Sequence, residues 1–220
     1  MPGGDGVDRL ARLKPGNAPR IKATDAGFAR RYRTDIMLIE PSPETIARNY
    51  ESGKAQVVWT RLVADLETPV SAMLKLSAGR SNTFLLESVE GGAVRGRYSM
   101  IGIEPDLLFR AHADKAEIDR NVTPGREAFE PVEGGSLDVL RRLIAESHID
   151  LPEGLPPMSA GIFGYLGYDM VRQMEDLGPP NPDALGLPDA IMMRPTVMVI
   201  FDAVKDEITV VTPVRPVPGI

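Results

Sequence analysis

Three turn signals, each set between two apolar runs, restrict this chain more than any other feature. Gly91-Gly92 separates Thr83–Ser88 from a segment that returns through Arg95 and Arg97. His112-Ala113-Asp114 joins Leu107–Ala113 to Lys115–Asp119, and Lys205-Asp206 joins Met192–Asp202 to Glu207–Pro213. Glycine tolerates positive φ without a Cβ clash, so paired apolar runs around such turns read as antiparallel hairpins. Asp35–Glu40, the β-branched Gln56–Ala64 and Met158–Gly164 add three more strands. Trp59, the only tryptophan, falls in one of them and is expected in the core.

Helix signals are fewer. Ser42-Pro43-Glu44 places an N-cap, a proline at the first helical position and an acid near the positive dipole end, and the helix should run to Ser52-Gly53. Thr68-Pro69 repeats the pattern, with an end near Gly79. Ser136 is expected to cap a helix through His148, with Leu137, Leu140, Leu143 and Ile144 at helical spacing. Gly167–Met174 reads as a short helix. Residues 121–135, 151–157 and 178–188 are too rich in Gly, Pro or acids for regular structure. The fold class that follows is α+β: a mostly antiparallel sheet with helices packed on it.

Composition narrows the function classes. The 220 residues are 43% hydrophobic and 25% charged, those of an ordinary globular chain, with room for one large core. There is no cysteine, hence no disulfide framework and no thiolate metal site. No apolar run reaches the roughly 20 residues of a membrane span. A net charge of −6 argues against a nucleic-acid binder. Residues 1–34 hold eight Lys or Arg against three Asp, and read as a flexible basic arm ahead of a domain at 35–213, with 214–220 a linker.

Among chemical candidates, nucleophilic catalysis has only His112 and His148 to draw on, with no serine close to His112 in sequence and His148 in a helix's last turn. Glu175-Asp176, Asp183 and Asp189 lack metal-ligand spacing, so no metal is assigned. Gly161, Gly164 and Gly167 fall three apart, but neither G-x-G-x-x-G nor G-K-[ST] is present, and close backbone approach is the better reading. Glu87 and Ser88 remain, with Arg95 and Arg97 returning opposite them: a carboxylate, a hydroxyl and guanidiniums suited to a zwitterion such as an amino acid. A solvated hairpin with ion pairs at its tip is the alternative on composition alone.

Leu85-Leu86-Glu87-Ser88, followed by Arg97-Tyr98-Ser99-Met100-Ile101-Gly102, resembles the N-terminal domain of anthranilate synthase component I. Glu67-Thr68-Pro69-Val70-Ser71-Ala72 and Gly161-Ile162-Phe163-Gly164-Tyr165-Leu166-Gly167-Tyr168-Asp169 fit the same family in the same order. The resemblance runs from about Ile36 to the end of the chain. Aminodeoxychorismate synthase component I, of folate synthesis, shares much of the pattern and is the alternative; a stand-alone amino-acid-binding module is another.

The resemblance implies a layered α/β enzyme of tryptophan biosynthesis, a cytoplasmic lyase converting chorismate and ammonia from glutamine to anthranilate and pyruvate. Its partner is a glutamine amidotransferase subunit, component II. Its Mg²⁺ and catalytic residues belong to a C-terminal chorismate-binding domain, so none transfers here and these residues alone are expected to be inactive. Leu86, Glu87 and Ser88 match one lip of the L-tryptophan feedback site. Glu87 would hold the ligand ammonium, and Arg97, with Arg95 as competitor, would line the same pocket.

Overall fold

A computed structural model describes residues 38–88, 96–179 and 181–217. The basic arm, the Gly91-Gly92 turn and Arg95 lie outside the described residues, as does the first half of the strand expected at 35–40. Glu40 alone reports on that strand, exchanging backbone hydrogen bonds with Trp59 at 2.9 and 2.8 Å.

Two long strands organise the sheet. β3 (Tyr98–His112) and β7 (Ala190–Asp202) run antiparallel along nearly their whole length. Around their Tyr98/Asp202 end, β2 (Phe84–Leu86) pairs with β3, while β8 (Glu207–Val214) pairs with β7 and β1 (Gln56–Val63) with β8. Around the other end, β4 (Lys115–Asp119) pairs with β3, β5 (Glu130–Val132) with β4, and β6 (Phe163–Leu166) with β7. Every pairing is antiparallel, and the helices lie against this sheet, so the fold is α+β.

A bulge divides β3 in two. Pro105 faces Pro195 but Leu107 faces Arg194, which leaves Asp106 as the extra residue, next to Glu104 at φ 52°. A single extra residue reverses which face later side chains occupy. Ile101 and Ile103 therefore pack with Val199 and Phe201 beneath α2 (Pro69–Leu76), whereas Leu107, Phe109 and Ala111 pack beneath α3 (Ser136–Ser147). A third cluster joins Trp59, Met198 and Ile200 to Ile149, Leu151 and Met158 from the segment after α3.

Arg194 falls on the same face of β7 as Met192 and Met198, between the α3 cluster and this third one. It is only 8% exposed. Its Nε and Nη2 donate to Asp106 at 2.7 and 3.0 Å, and its Nη1 reaches Ser147 Oγ at 3.3 Å and Glu146 at 3.4 Å. Arg120 donates to both oxygens of Glu146, holding that carboxyl below its usual range. Arg215 donates to Ser147 O at 2.9 Å, a cation on an orphan carbonyl of the α3 C-terminus. Residues 214 and 215 of the expected linker are thus held by the fold, and residues 218–220 lie outside the described residues.

Local chemistry explains the remaining elements. α1 (Pro43–Glu51) starts at its Ser42 cap and stops before Gly53 at φ 73°. α2 opens on a Thr68/Ser71 capping box. Ser136 does not cap α3, contrary to expectation: it is fully buried, its hydroxyl donates to Ala113 O, and its backbone N–H goes to Asp114. The strand expected at 158–164 begins later, at Phe163, because Gly161 sits at φ 150° and Ser159 is tied back to Pro156 O. Gly164 does allow close approach: a Cβ there would lie 1.9 Å from Ile191 O of β7.

Asp106→Ala should expose how much rests on the bulge. It leaves Arg194 without its bidentate partner, and the expected cost is about 2 kcal/mol, below the ~3–5 for a fully buried pair because Asp106 is partly exposed and Glu146 stays near. Urea unfolding would show a lower midpoint with an unchanged slope. An unchanged midpoint would refute the bulge's dependence on this pair.

Candidate functional site

β2 is three residues long, and its ladder ends where Leu86 faces Met100. Phe84 lies over Gly102, where a Cβ would fall 2.3 Å from its ring, and stacks at 5.2 Å on Phe163. Those contacts anchor the start of β2. At its end Leu86 is 48% exposed, and past it Glu87 and Ser88 are exposed as well. None of four clefts found among the described residues includes any of the three. The Glu87 carboxylate and the Ser88 hydroxyl thus stand as an exposed lip.

Gly96 closes against this lip. A Cβ at Gly96 would stand 1.9 Å from Ser88 Oγ, so only glycine fits. The next residue, Arg97, turns toward β7. Its Nε donates to both oxygens of Asp202 at 3.1 and 3.2 Å and its Nη2 to Oδ2 at 2.9 Å. Its carbonyl accepts from Ala203 N at 2.9 Å, and its guanidinium lies 4.8 Å from the Tyr98 ring centroid. Asp202 also accepts from Val204 N and Lys205 N, which closes the β7–β8 turn. The Arg97 hydrogen bonds, aided by those two N–H groups and opposed by burial, hold the Asp202 carboxyl below its usual range.

Leu86, Glu87 and Ser88, neighbours in sequence, are exposed, while the guanidinium of Arg97, expected to line the same pocket, is engaged by Asp202. Sequence reasoning missed Asp202. It lies 105 positions from Arg97 and carries no local signal beyond ending a strand before a turn.

The other candidates resolve into turn chemistry. Asp176 accepts from Gly178 N, Asp183 from Leu185 N and Gly186 N, and Asp189 from Ala113 N at 2.6 Å. His148 caps the end of α3 beside Asp150 at 3.2 Å. No three His, Asp or Glu converge on a metal position among the described residues, and no helix there is long and apolar enough to cross a membrane.

The Asp202 carboxyl gives a pH prediction. Its pKa is lowered by folding, so its contribution is complete above the ordinary carboxylate value of about 3.9 and is lost as pH falls through the lower folded value. Asp202→Asn should therefore be less stable than the parent chain at pH 7, with the gap shrinking below about pH 4. A gap constant from pH 7 to 2.5 in denaturant titrations would contradict this.

Comparison with known proteins adds a second line. No family model matches the chain. Anthranilate synthase component 1 of Cereibacter sphaeroides is 54% identical over 170 residues, 77% of this chain and 34% of that protein. The proteins of the same name from Synechocystis and Thermus thermophilus are 37% and 39% identical over 78% and 70% of the chain. Among solved structures, anthranilate synthase component I from Streptococcus pneumoniae aligns with 71% of this chain and 31% of its own at 20% identity. The TM-score of that alignment is 0.43. The chain spans about a third of the length of the curated relatives it matches, and it is by sequence a relative of anthranilate synthase component I.

Proposed function

We propose that this chain is the N-terminal part of an anthranilate synthase component I, acting in tryptophan biosynthesis in the cytoplasm. In this reading Leu86, Glu87 and Ser88 form one half of the L-tryptophan feedback site. The observation that carries it is the 54% identity to a curated component 1, joined to an L-L-E-S segment whose Leu86, Glu87 and Ser88 stand exposed at the end of a pinned strand. The parent enzyme would take chorismate and ammonia from glutamine to anthranilate and pyruvate, with a glutamine amidotransferase subunit as partner.

The family's Mg²⁺ does not fit the residues present. Asp176, Asp183 and Asp189 accept from backbone N–H groups, and no three His, Asp or Glu converge among the described residues. In this reading the family's Mg²⁺ and catalytic groups belong to a C-terminal chorismate-binding domain.

The chemistry asked of the lip is modest. Glu87 accepts a charge-assisted hydrogen bond from the ligand ammonium, and Ser88 orients it by hydroxyl or backbone. A lip on a fixed sheet inhibits only if ligand seated between it and a second surface favours the inactive arrangement over the active one.

A graft tests the reading. These residues replace the matching third of the Cereibacter sphaeroides relative, and anthranilate fluorescence is followed with and without L-tryptophan. Loss of one charge-assisted bond, about 1.5–3 kcal/mol, should raise the half-inhibiting concentration tenfold or more in Glu87→Ala. Ser88→Phe should do the same by blocking the lip, and the 220-residue chain alone should make no product. Inhibition unchanged in both variants would sink the assignment.

A further inference from the structure

Resting on the reading of Leu86–Ser88 as a ligand lip, we propose that Asp202 is the positioning residue of that site. Acting through Arg97, it holds Gly96 against Ser88 and withdraws the guanidinium from recognition of the ligand. The β2–β3 ladder reaches no further than Leu86 and Met100, so it does not register Glu87 or Ser88. What stands against Ser88 is Gly96, at a separation that a methyl group would violate. Gly96 also precedes the first residue of β3, so its place depends on Arg97 beside it.

Arg97 is tied at two points to one turn. Its side chain bonds both Asp202 oxygens, and its carbonyl takes the N–H of Ala203. Asp202 is itself 6% exposed and held by the N–H groups of Val204 and Lys205, so the anchor has little freedom of its own. A continuous path of contacts thus runs from a rigid turn, through an ion pair, to the hydroxyl that meets the ligand.

The charge consequence is equally direct. A guanidinium donating from both Nε and Nη2 to a single carboxylate has that fork filled and its charge balanced, so a ligand carboxylate cannot take the same pair of donors. With Arg97 neutralised, the lip selects for a ligand's ammonium through Glu87. The carboxylate of an amino acid must then find its partner on the opposing surface.

Nuclear magnetic resonance of the ¹⁵N-labelled chain tests the path without any ligand. In Asp202→Asn the Ser88 and Gly96 amide signals should shift, and the Arg97 Nε–H signal should lose its protection from exchange. Leu107 and Phe109, beyond the bulge, should stay in place. Asp202→Glu, which keeps a carboxylate, should return the signals toward their original positions. Arg97→Gln leaves the caps on Val204 and Lys205 intact and should displace Ser88 and Gly96 in the same way, should the Asn variant fail to fold.

Ser88 and Gly96 signals that stay fixed once the ion pair is broken would overturn the proposal. In the grafted enzyme, Asp202→Asn should need about tenfold more L-tryptophan for half inhibition, and Asp202→Glu should not. An unchanged requirement in the Asn variant, where Glu87→Ala does change it, would remove the role of Asp202 and leave the tryptophan reading standing. Insensitivity of every variant would instead remove the tryptophan reading, while the ligand-free spectra still decide the clamp.

Discussion

The ion pair between Arg194 and the bulged Asp106 is the contact on which the two halves of this sheet depend. Without the extra residue, the side chains of β3 that face α2 before Pro105 would continue to face that side after it. With it, Leu107, Phe109 and Ala111 turn toward α3, and one strand serves two cores on opposite faces. The bulge also leaves a polar residue near the middle of the sheet, and the chain meets it with an arginine from the neighbouring strand. Arg194 then reaches on to Ser147 and Glu146, so a single guanidinium ties the bend in the sheet to the end of α3. Burying that charge is costly unless it is paired and hydrogen-bonded, and four hydrogen bonds engage it.

The candidate site sits at the far end of the same two strands and uses the same device. There an arginine at the entry to β3 meets an aspartate at the end of β7. Both pairs join β3 to β7, one at the middle and one at the end, and the apolar rungs between them run from Met100/Ile200 to Ile103/Val197. The lip is consequently an exposed feature on a stiff support: Leu86, Glu87 and Ser88 face solvent, while the residues opposite them are fixed by ladder, ion pair and turn. That combination suits a site completed by a second surface, since the ligand need not order the half it meets first.

Much of this was legible from local chemistry. Ser42-Pro43 and Thr68-Pro69 mark helix starts because their side chains satisfy nearby N–H groups whatever the tertiary context. The hairpin at Lys205-Asp206 follows from a turn whose aspartate tolerates positive φ, and Asp206 adopts it; Ala113 adopts it too, with its N–H held by Asp189 and its carbonyl by Ser136. What failed was governed by distant residues. Two separate strands were read where β3 is one, because Glu104-Pro105-Asp106 resembles a break until Arg194 is seen to hold the bulge. β5 was hidden in a segment rich in Gly, Pro and acids, where pairing with β4 outweighs weak propensity. Ser136 looked like a cap, but Asp114 supplies the carboxylate from another turn. At the site, L-L-E-S was readable as a motif, yet nothing near Arg97 in sequence announces Asp202.

The central claim is that this chain carries one half of an amino-acid site whose other half is supplied elsewhere. Titration calorimetry of L-tryptophan into the 220-residue chain tests it most directly. The account predicts no measurable heat of binding at micromolar ligand, because an open lip without an opposing surface leaves the indole in water. Saturable binding with a micromolar dissociation constant would contradict it, and would identify the chain as an amino-acid-binding module complete in itself.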